Sequence, residues 1–154
     1  MKKIIIWSDD STSPQLVNEL SSLLMRLGTT PQVQNSSELT ENAEGYIYLK
    51  SNVSKVETTS LLNIFKQSKP LVAFLPCSHN IAQSLCEYSS LISVAGNENK
   101  EIKNIEVIEC PSHDFITDRY TKLISSTIQA HQKSLTDKDQ QGLLLICKEL
   151  VEMC

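Results

Sequence analysis

The sequence predicts a three-layer α/β fold built around a five-stranded, mostly parallel sheet. Two short apolar runs, residues 4–7 and 71–75, have the composition of strands that are buried on both faces. Helical patterns alternate with such runs along the chain, and this alternation is typical of right-handed crossovers between parallel strands. A chain of 154 residues has the length of one ordinary domain.

The first strand leads through a polar loop into an amphipathic helix. Ser11, Thr12 or Ser13 can accept hydrogen bonds from free helical N–H groups, and Pro14 suits a first turn because it has no N–H to leave unpaired. Gly28 stands where the helix should end. The leucines that form its apolar stripe are Leu16, Leu20, Leu23, Leu24 and Leu27.

The other predicted strands are short. Residues 29–34 alternate weakly and predict an edge strand, residues 45–49 predict a third strand, and residues 105–108 predict the last one. Residues 35–44 are polar and are expected to form a loop with at most one helical turn. For residues 91–95 the periodicity leaves helix and strand open.

Helices are also predicted after the third, fourth and last strands. The residues that indicate them are Leu61, Leu62 and Phe65 for the first of these, Ile81, Leu85 and Tyr88 or Ser89 for the second, and Ile116, Tyr120, Leu123, Ile124 and Ile128 for the third. Five strands connected in this way suggest, by analogy, the flavodoxin-like (Rossmann-like) order 2-1-3-4-5.

The chain is expected to divide into a domain of residues 1–133 and a C-terminal amphipathic helical extension of residues 134–154. Residues 136–139 are suited to start a helix. An apolar stripe follows, and it fits either a helix that covers the protein's own sheet or one that binds a protein partner or a second copy. Of these two alternatives we expect the second, an interface with a protein partner or a second copy that is formed by Leu143, Ile146, Cys147 and Leu150.

Composition and charge indicate which kinds of partner the chain is expected to bind and where in the cell it is expected to be. The formal charge is −4, the pI is near 5.4, and no stripe of Lys and Arg is present, so direct nucleic-acid binding is not expected. No apolar run approaches the roughly 18 residues that a membrane helix needs, so we expect no membrane contact and a cytoplasmic location. Five cysteines without a C-x-x-C pair indicate reduced thiols.

Candidate functional residues follow the predicted strands. Asp9 and Asp10 could hold Mg²⁺, or they could be favoured simply by the dipole of the following helix, so no cofactor is expected except Mg²⁺ at this pair. Cys77, His79, Cys110 and His113 could together ligate zinc, but the spacings C-x-H and C-x-x-H match no common zinc signature, and a buried Cys is also simply a small apolar residue. The further strand-end candidates are Ser8, Ser11, Lys50, Cys77, Ser78, His79, Cys110 and His113.

With two acids after the first strand, an amphipathic helix ending at Gly28 and a proline after the last strand, the chain resembles the receiver domain of bacterial response regulators over residues 2–133. Asp9 and Asp10 match that family's metal-binding acids. The position of its phosphorylated aspartate falls on Lys50, and the lysine of its Lys-Pro pair is replaced by Cys110. The resemblance implies a pseudo-receiver that regulates by protein contact without phosphorylation chemistry, and therefore a protein that is more plausibly not an enzyme.

Residues 42–49 and 67–73 also resemble the nucleoside deoxyribosyltransferase and TIR-like group, which cleaves or exchanges N-glycosidic bonds. That group needs a glutamate on the intervening helix. Here Thr59, Ser60 and Leu61 occupy the equivalent turn, and Glu57 lies a turn too early. The alternative function is therefore this activity, or another small nucleotide- or phosphate-binding enzyme with its site at the carboxyl ends of the strands.

Overall fold

The chain forms a three-layer, flavodoxin-like α/β fold around a single sheet. The computed structural model describes residues 1–36, 39, 42–67, 69–78, 80–81, 93–95, 105–111 and 120–154. The strands are β1 (Lys3–Trp7), β2 (Thr30–Gln34), β3 (Gly45–Tyr48), β4 (Leu71–Leu75), β5 (Ser93–Ala95), β6 (Ile105–Pro111) and β7 (Tyr120–Gln129). The helices with described bounds are α1 (Pro14–Arg26), α2 (Lys55–Lys66) and α3 (Asp137–Met153).

Five parallel strands form the part of the sheet that the sequence predicts. Their order is β2-β1-β3-β4-β7, so the predicted 2-1-3-4-5 order is confirmed if β7 is counted as the fifth strand. The first four strands and α1 and α2 also lie where they were predicted. Ser13 accepts a hydrogen bond from the Leu16 N–H as the N-cap of α1, and Pro14 follows it in the first turn.

The identity of the fifth parallel strand was predicted wrongly. A helix was expected over residues 116–128, but Tyr120–Gln129 is a strand that pairs with β4. Leu123 and Ile124 are adjacent in sequence and lie in the cores on opposite faces of the sheet, as a strand requires. The apolar residues of this segment fit helical spacing equally well, and its β-branched residues are the better guide to a strand.

The strand predicted at residues 105–108 exists, but it is not the fifth parallel strand. It is part of β6, which pairs antiparallel with β7 and with β5, so these three strands form an antiparallel extension of the sheet. The sequence pattern of residues 91–95 fits a helix or a strand, and residues 93–95 form strand β5. Residues 91–92, and the predicted helix beyond Ile81, lie outside the described residues.

Two hydrophobic cores cover the faces of the sheet. One includes residues of α1 and α3, and the other includes residues of α2, so helices lie on both faces. The helix predicted in the tail is confirmed as α3, with Thr136 and Asp139 forming a capping box at its start. Gly45 of β3 lies close under this helix: a Cβ there would approach Cys154 Sγ to 2.7 Å.

The expectation that the tail stripe forms an interface is wrong for the residues named. All four side chains are fully buried in the same core as Ile4, Leu20 and Ile47, and α3 therefore belongs to the body of the fold. These four residues are Leu143, Ile146, Cys147 and Leu150. Leu144, Leu145 and Val151 are partly buried against the same core, which accounts for the wide apolar surface of this helix.

Candidate functional site at the carboxyl edge of the sheet

The candidate site lies beside the point where the strand order reverses. From β1 the chain passes to β2 on one side of the sheet and later to β3 on the other, so the loops after β1 and β3 diverge here. Crevices at such points are the usual ligand sites of open α/β sheets. The loop after β1 carries Asp9 and Asp10, and the segment after β3 carries Lys50 and Ser51.

The Asp9 carboxylate joins these two loops. Its Oδ1 accepts hydrogen bonds from Ser11 N (3.0 Å), Ser11 Oγ (2.7 Å) and Thr12 Oγ1 (3.1 Å). Its Oδ2 accepts from Ser51 N (2.9 Å) and Ser51 Oγ (3.0 Å). Partial burial raises the pKa of Asp9, but the hydrogen bonds from Ser51, Ser11 and Thr12 outweigh this effect and lower the pKa to about 2. Asp9 is therefore ionised at neutral pH, with both of its oxygens hydrogen-bonded within the protein.

Asp10 does not share a ligand position with Asp9. It is exposed, and its Oδ1 accepts from Asn35 Nδ2 (3.2 Å), which follows β2. β2 and β3 flank β1 on opposite sides. Asp10 therefore accepts its hydrogen bond from the β2 side of β1, whereas Asp9 Oδ2 accepts from the β3 side. Within the described ranges, no three His, Cys, Asp or Glu side chains are grouped as metal ligands.

A buried ion pair lies at the end of β3. Lys50 is 5% exposed and Glu57 of α2 is 8% exposed, and Lys50 Nζ lies 3.0 Å from Glu57 Oε1. Lys50 Nζ also donates to the Ser36 carbonyl (3.0 Å), and it sits 4.9 Å from the centre of the Trp7 ring, within the range of a cation–π contact. The Lys50 ammonium therefore links β3, α2 and the segment after β2.

The other oxygen of Glu57 is occupied as well. Glu57 Oε2 lies 3.0 Å from the Tyr48 hydroxyl and accepts from Ser54 N at 2.9 Å. Burial raises the pKa of Glu57, but the hydrogen bonds from Ser54, Lys50 and Tyr48 lower it below its ordinary value. Burial and the neighbouring Glu57 carboxylate raise the pKa of Tyr48. Glu57 is thus held as a carboxylate and Tyr48 as a neutral phenol.

Aromatic packing fixes the position of this network. The Trp7 and Tyr48 rings meet edge to face, with centroids 5.2 Å apart and planes at 84°. Trp7 Nε1 donates to the Ser36 carbonyl at 2.6 Å, so Trp7 and Lys50 share one acceptor. Both aromatic residues are fully buried, which leaves the ion pair little room to rearrange.

The remaining strand-end candidates do not form a joint site within the described structure. Cys77 is buried after β4, and burial together with the charges of Glu57 and Asp9 raises the pKa of its thiol to about 11. Ser78 is fully buried, with no hydrogen-bond partner for its hydroxyl in the described structure. Ser8 is buried, and its N–H donates to the Gln34 carbonyl.

The predicted zinc set cannot be placed. His79 and His113 lie outside the described residues, and Cys110 lies in β6.

A cavity of about 380 Å³ lies beside the start of α1. Asp10, Ser11, Thr12, Ser13, Pro14 and Gln15 line one part of it, and His131 and Lys133 from the segment after β7 line the rest. The N–H groups of Ser11 and Ser13 face Asp9 Oδ1 and the Ala130 carbonyl. The cavity is therefore bordered by exposed basic side chains and by a loop whose own donors are largely engaged.

Sequence reasoning found Asp9 and Lys50 but missed what they bind. In the sequence, Glu57 stands out only as a glutamate one turn out of place for the deoxyribosyltransferase motif, and Tyr48 only as part of a predicted strand. The sequence does contain a signal for the ion pair. Lys50 follows a predicted buried strand, and Glu57 lies seven positions later in the first turn of a helix. A buried lysine needs a partner of opposite charge, and Glu57 is within reach. The edge-to-face contact of Trp7 with Tyr48 depends on the pairing of β1 with β3 and has no local signal in the sequence.

The fold and the site together define a flavodoxin-like α/β protein in which Lys50 and Glu57 form a buried ion pair and Asp9 accepts hydrogen bonds from its own chain. No known protein family matched the chain, and no curated protein did. One solved structure, a ThuA-like protein of Bacteroides uniformis ATCC 8492, is similar with a TM-score of 0.50 and 11% identity, over 95% of this chain and 89% of that one. At this identity the likeness shows the fold alone. None of the described helices is long and apolar enough to cross a membrane.

Proposed function

We propose that the chain is a non-catalytic regulatory or protein-interaction domain on a flavodoxin-like scaffold. The observation that carries the proposal is the buried ion pair of Lys50 and Glu57, with 3.0 Å between Nζ and Oε1. In the receiver family that the sequence resembles, the position of Lys50 belongs to the phosphorylated aspartate. Here this position holds an ammonium group that the chain's own glutamate neutralises.

The protonation states at this edge support the same proposal. A general acid or base works best when its pKa lies near the pH of the reaction. The shifted pKa values of the four described groups at this edge move away from neutrality: those of Asp9 and Glu57 fall, and those of Tyr48 and Cys77 rise. Shifts in these directions favour a structural role, because each group keeps one protonation state and one set of partners.

Treatment with a small phosphodonor tests the proposal. We expect no phosphoryl adduct on the intact protein after incubation with acetyl phosphate and Mg²⁺, because neither Lys50 nor the hydrogen-bonded Asp9 is a suitable acceptor. Intact-mass spectrometry, with an active receiver domain treated in parallel as the control, gives the readout. An adduct of one phosphoryl group that hydroxylamine removes would identify an acyl phosphate and overturn the proposal.

The position of Glu57 favours a second candidate, N-glycosidic bond exchange. Sequence spacing placed this glutamate a turn too early on α2, yet its carboxylate reaches the end of β3. Its low exposure and its ion pair with Lys50 count against a nucleophilic role. Incubation with a deoxyribonucleoside and a different free base discriminates the two candidates: base exchange that is lost in Glu57→Gln, in a sample that circular dichroism shows to be folded, would support the second.

A further inference from the structure

We propose that two copies of the chain associate through the outer edge of β2 and continue the sheet across a two-fold axis. This interface would be formed by the backbone of β2 and not by the strand-end charges, so it goes beyond the proposed regulatory function. It would also allow a second copy to bind at a surface other than α3, whose apolar stripe is buried in the core.

The outer edge of β2 carries peptide groups that do not pair with any other described strand. β2 is the terminal strand of the sheet and pairs with β1. The Thr30 N–H donates to the Lys2 carbonyl, and the Gln34 carbonyl accepts from the Ser8 N–H. Because successive residues of a strand direct their peptide groups to opposite sides, Thr30 and Gln34 face β1, whereas Val33 faces outward.

These outward groups are complementary to a second copy of themselves. In an antiparallel pair centred on Val33, the N–H of each Val33 would donate to the carbonyl of the other. The Asn35 N–H of each copy would donate to the Pro31 carbonyl of the other copy. Proline is tolerated on edge strands because it has no N–H. In this pairing Pro31 could not donate to the Asn35 carbonyl of the other copy, so that hydrogen bond, at each end of the paired segment, would be missing.

The charge and the surface of this segment favour a copy of the same chain as the partner. A two-fold axis places identical side chains opposite each other, so charged residues would repel. No residue from Leu27 through Ser36 is charged, although edge strands that avoid pairing commonly carry charges. Val33 is 47% exposed, and pairing would cover an apolar side chain that is otherwise in water.

Light scattering coupled to size-exclusion chromatography tests this interface on the full chain. We expect a dimer for the natural sequence and a monomer for Val33→Lys, which places two ammonium groups at the axis. Val33→Pro should also be monomeric, because it removes the central N–H donor, which does not take part in pairing with β1. Val56→Lys is the matched control, since Val56 is an equally exposed valine (45%) on α2, and this variant should remain dimeric.

Circular dichroism on each variant separates loss of association from loss of folding. If Val33→Pro fails to fold, the folded Val33→Lys variant decides the question. A monomeric full chain, a dimer that persists in both folded Val33 variants, or a dimer that is lost equally in Val56→Lys would each overturn the proposal. Pairing of this edge with a different protein, with no self-association, would overturn it as well. None of these outcomes bears on the phosphodonor test.

Discussion

Asp9 shows how one carboxylate after a strand can hold two loops together. Its Oδ1 holds the turn of its own loop through Ser11 and Thr12, and its Oδ2 holds the loop after β3 through Ser51. Hydrogen bonds to an ionised group are stronger than those between neutral groups. The carboxylate therefore contributes to stability by joining two loops at the point where the strand order reverses.

Replacement of Asp9 should give a pH-dependent loss of stability. The pKa of Asp9 is about 2 in the folded protein and near 3.9 when unfolded, so its contribution is complete above about pH 4 and is lost as the pH falls toward 2. Asp9→Asn should lower the free energy of unfolding at pH 7 by roughly 1.5 kcal/mol, the lower end for a charge-assisted bond at a partly exposed site.

Urea unfolding of the natural sequence and of Asp9→Asn at pH 7 and near pH 2 measures this difference. Asp10→Asn is the control, because its exposed carboxylate accepts one hydrogen bond, from the Asn35 side chain, and its stability should hardly change. A loss for Asp9→Asn that is equal at both pH values would show that the charge is not responsible.

At the scale of elements, α3 and β7 show what periodicity can and cannot predict. The start and stripe of α3 were predicted correctly because capping and helical spacing are local. The surface against which α3 packs was not predicted correctly, since an apolar stripe does not specify its partner. The helical spacing of Leu123, Ile124 and Ile128 was misleading, because β7 is buried on both faces and has no polar alternation to identify it.

The packing of α3 predicts a large effect of truncating its buried side chains. Leu150 is fully buried against the core that includes Ile4, so Leu150→Ala should lower the free energy of unfolding by about 2–5 kcal/mol. Glu152→Ala, on the exposed side of the same helix, should change it by less than about 0.5 kcal/mol. Chemical denaturation of both variants gives the comparison. A loss below about 1 kcal/mol for Leu150→Ala would show that α3 is not part of the core.

At the scale of the whole molecule, the order of the parallel strands was predictable, whereas the chemistry of its edge was not. Alternating strand and helix patterns limit the topology to a few arrangements, and this was enough to place Asp9 and Lys50 at one edge. Whether such residues bind a ligand or each other depends on partners far away in sequence. Ser51 lies 42 positions from Asp9, and no local pattern connects them.

The central claim is that Lys50 and Glu57 neutralise each other in a buried ion pair at the end of β3, and a double-mutant cycle on these two residues tests it most directly. Removing one partner of a buried pair leaves an uncompensated charge, so Lys50→Met and Glu57→Gln should each cost roughly 3–5 kcal/mol. The double variant should cost clearly less than the sum, with a coupling energy above about 1.5 kcal/mol, while the exposed control Lys148→Met should have little effect. Additive losses with no coupling, or single variants as stable as the natural chain, would contradict the account.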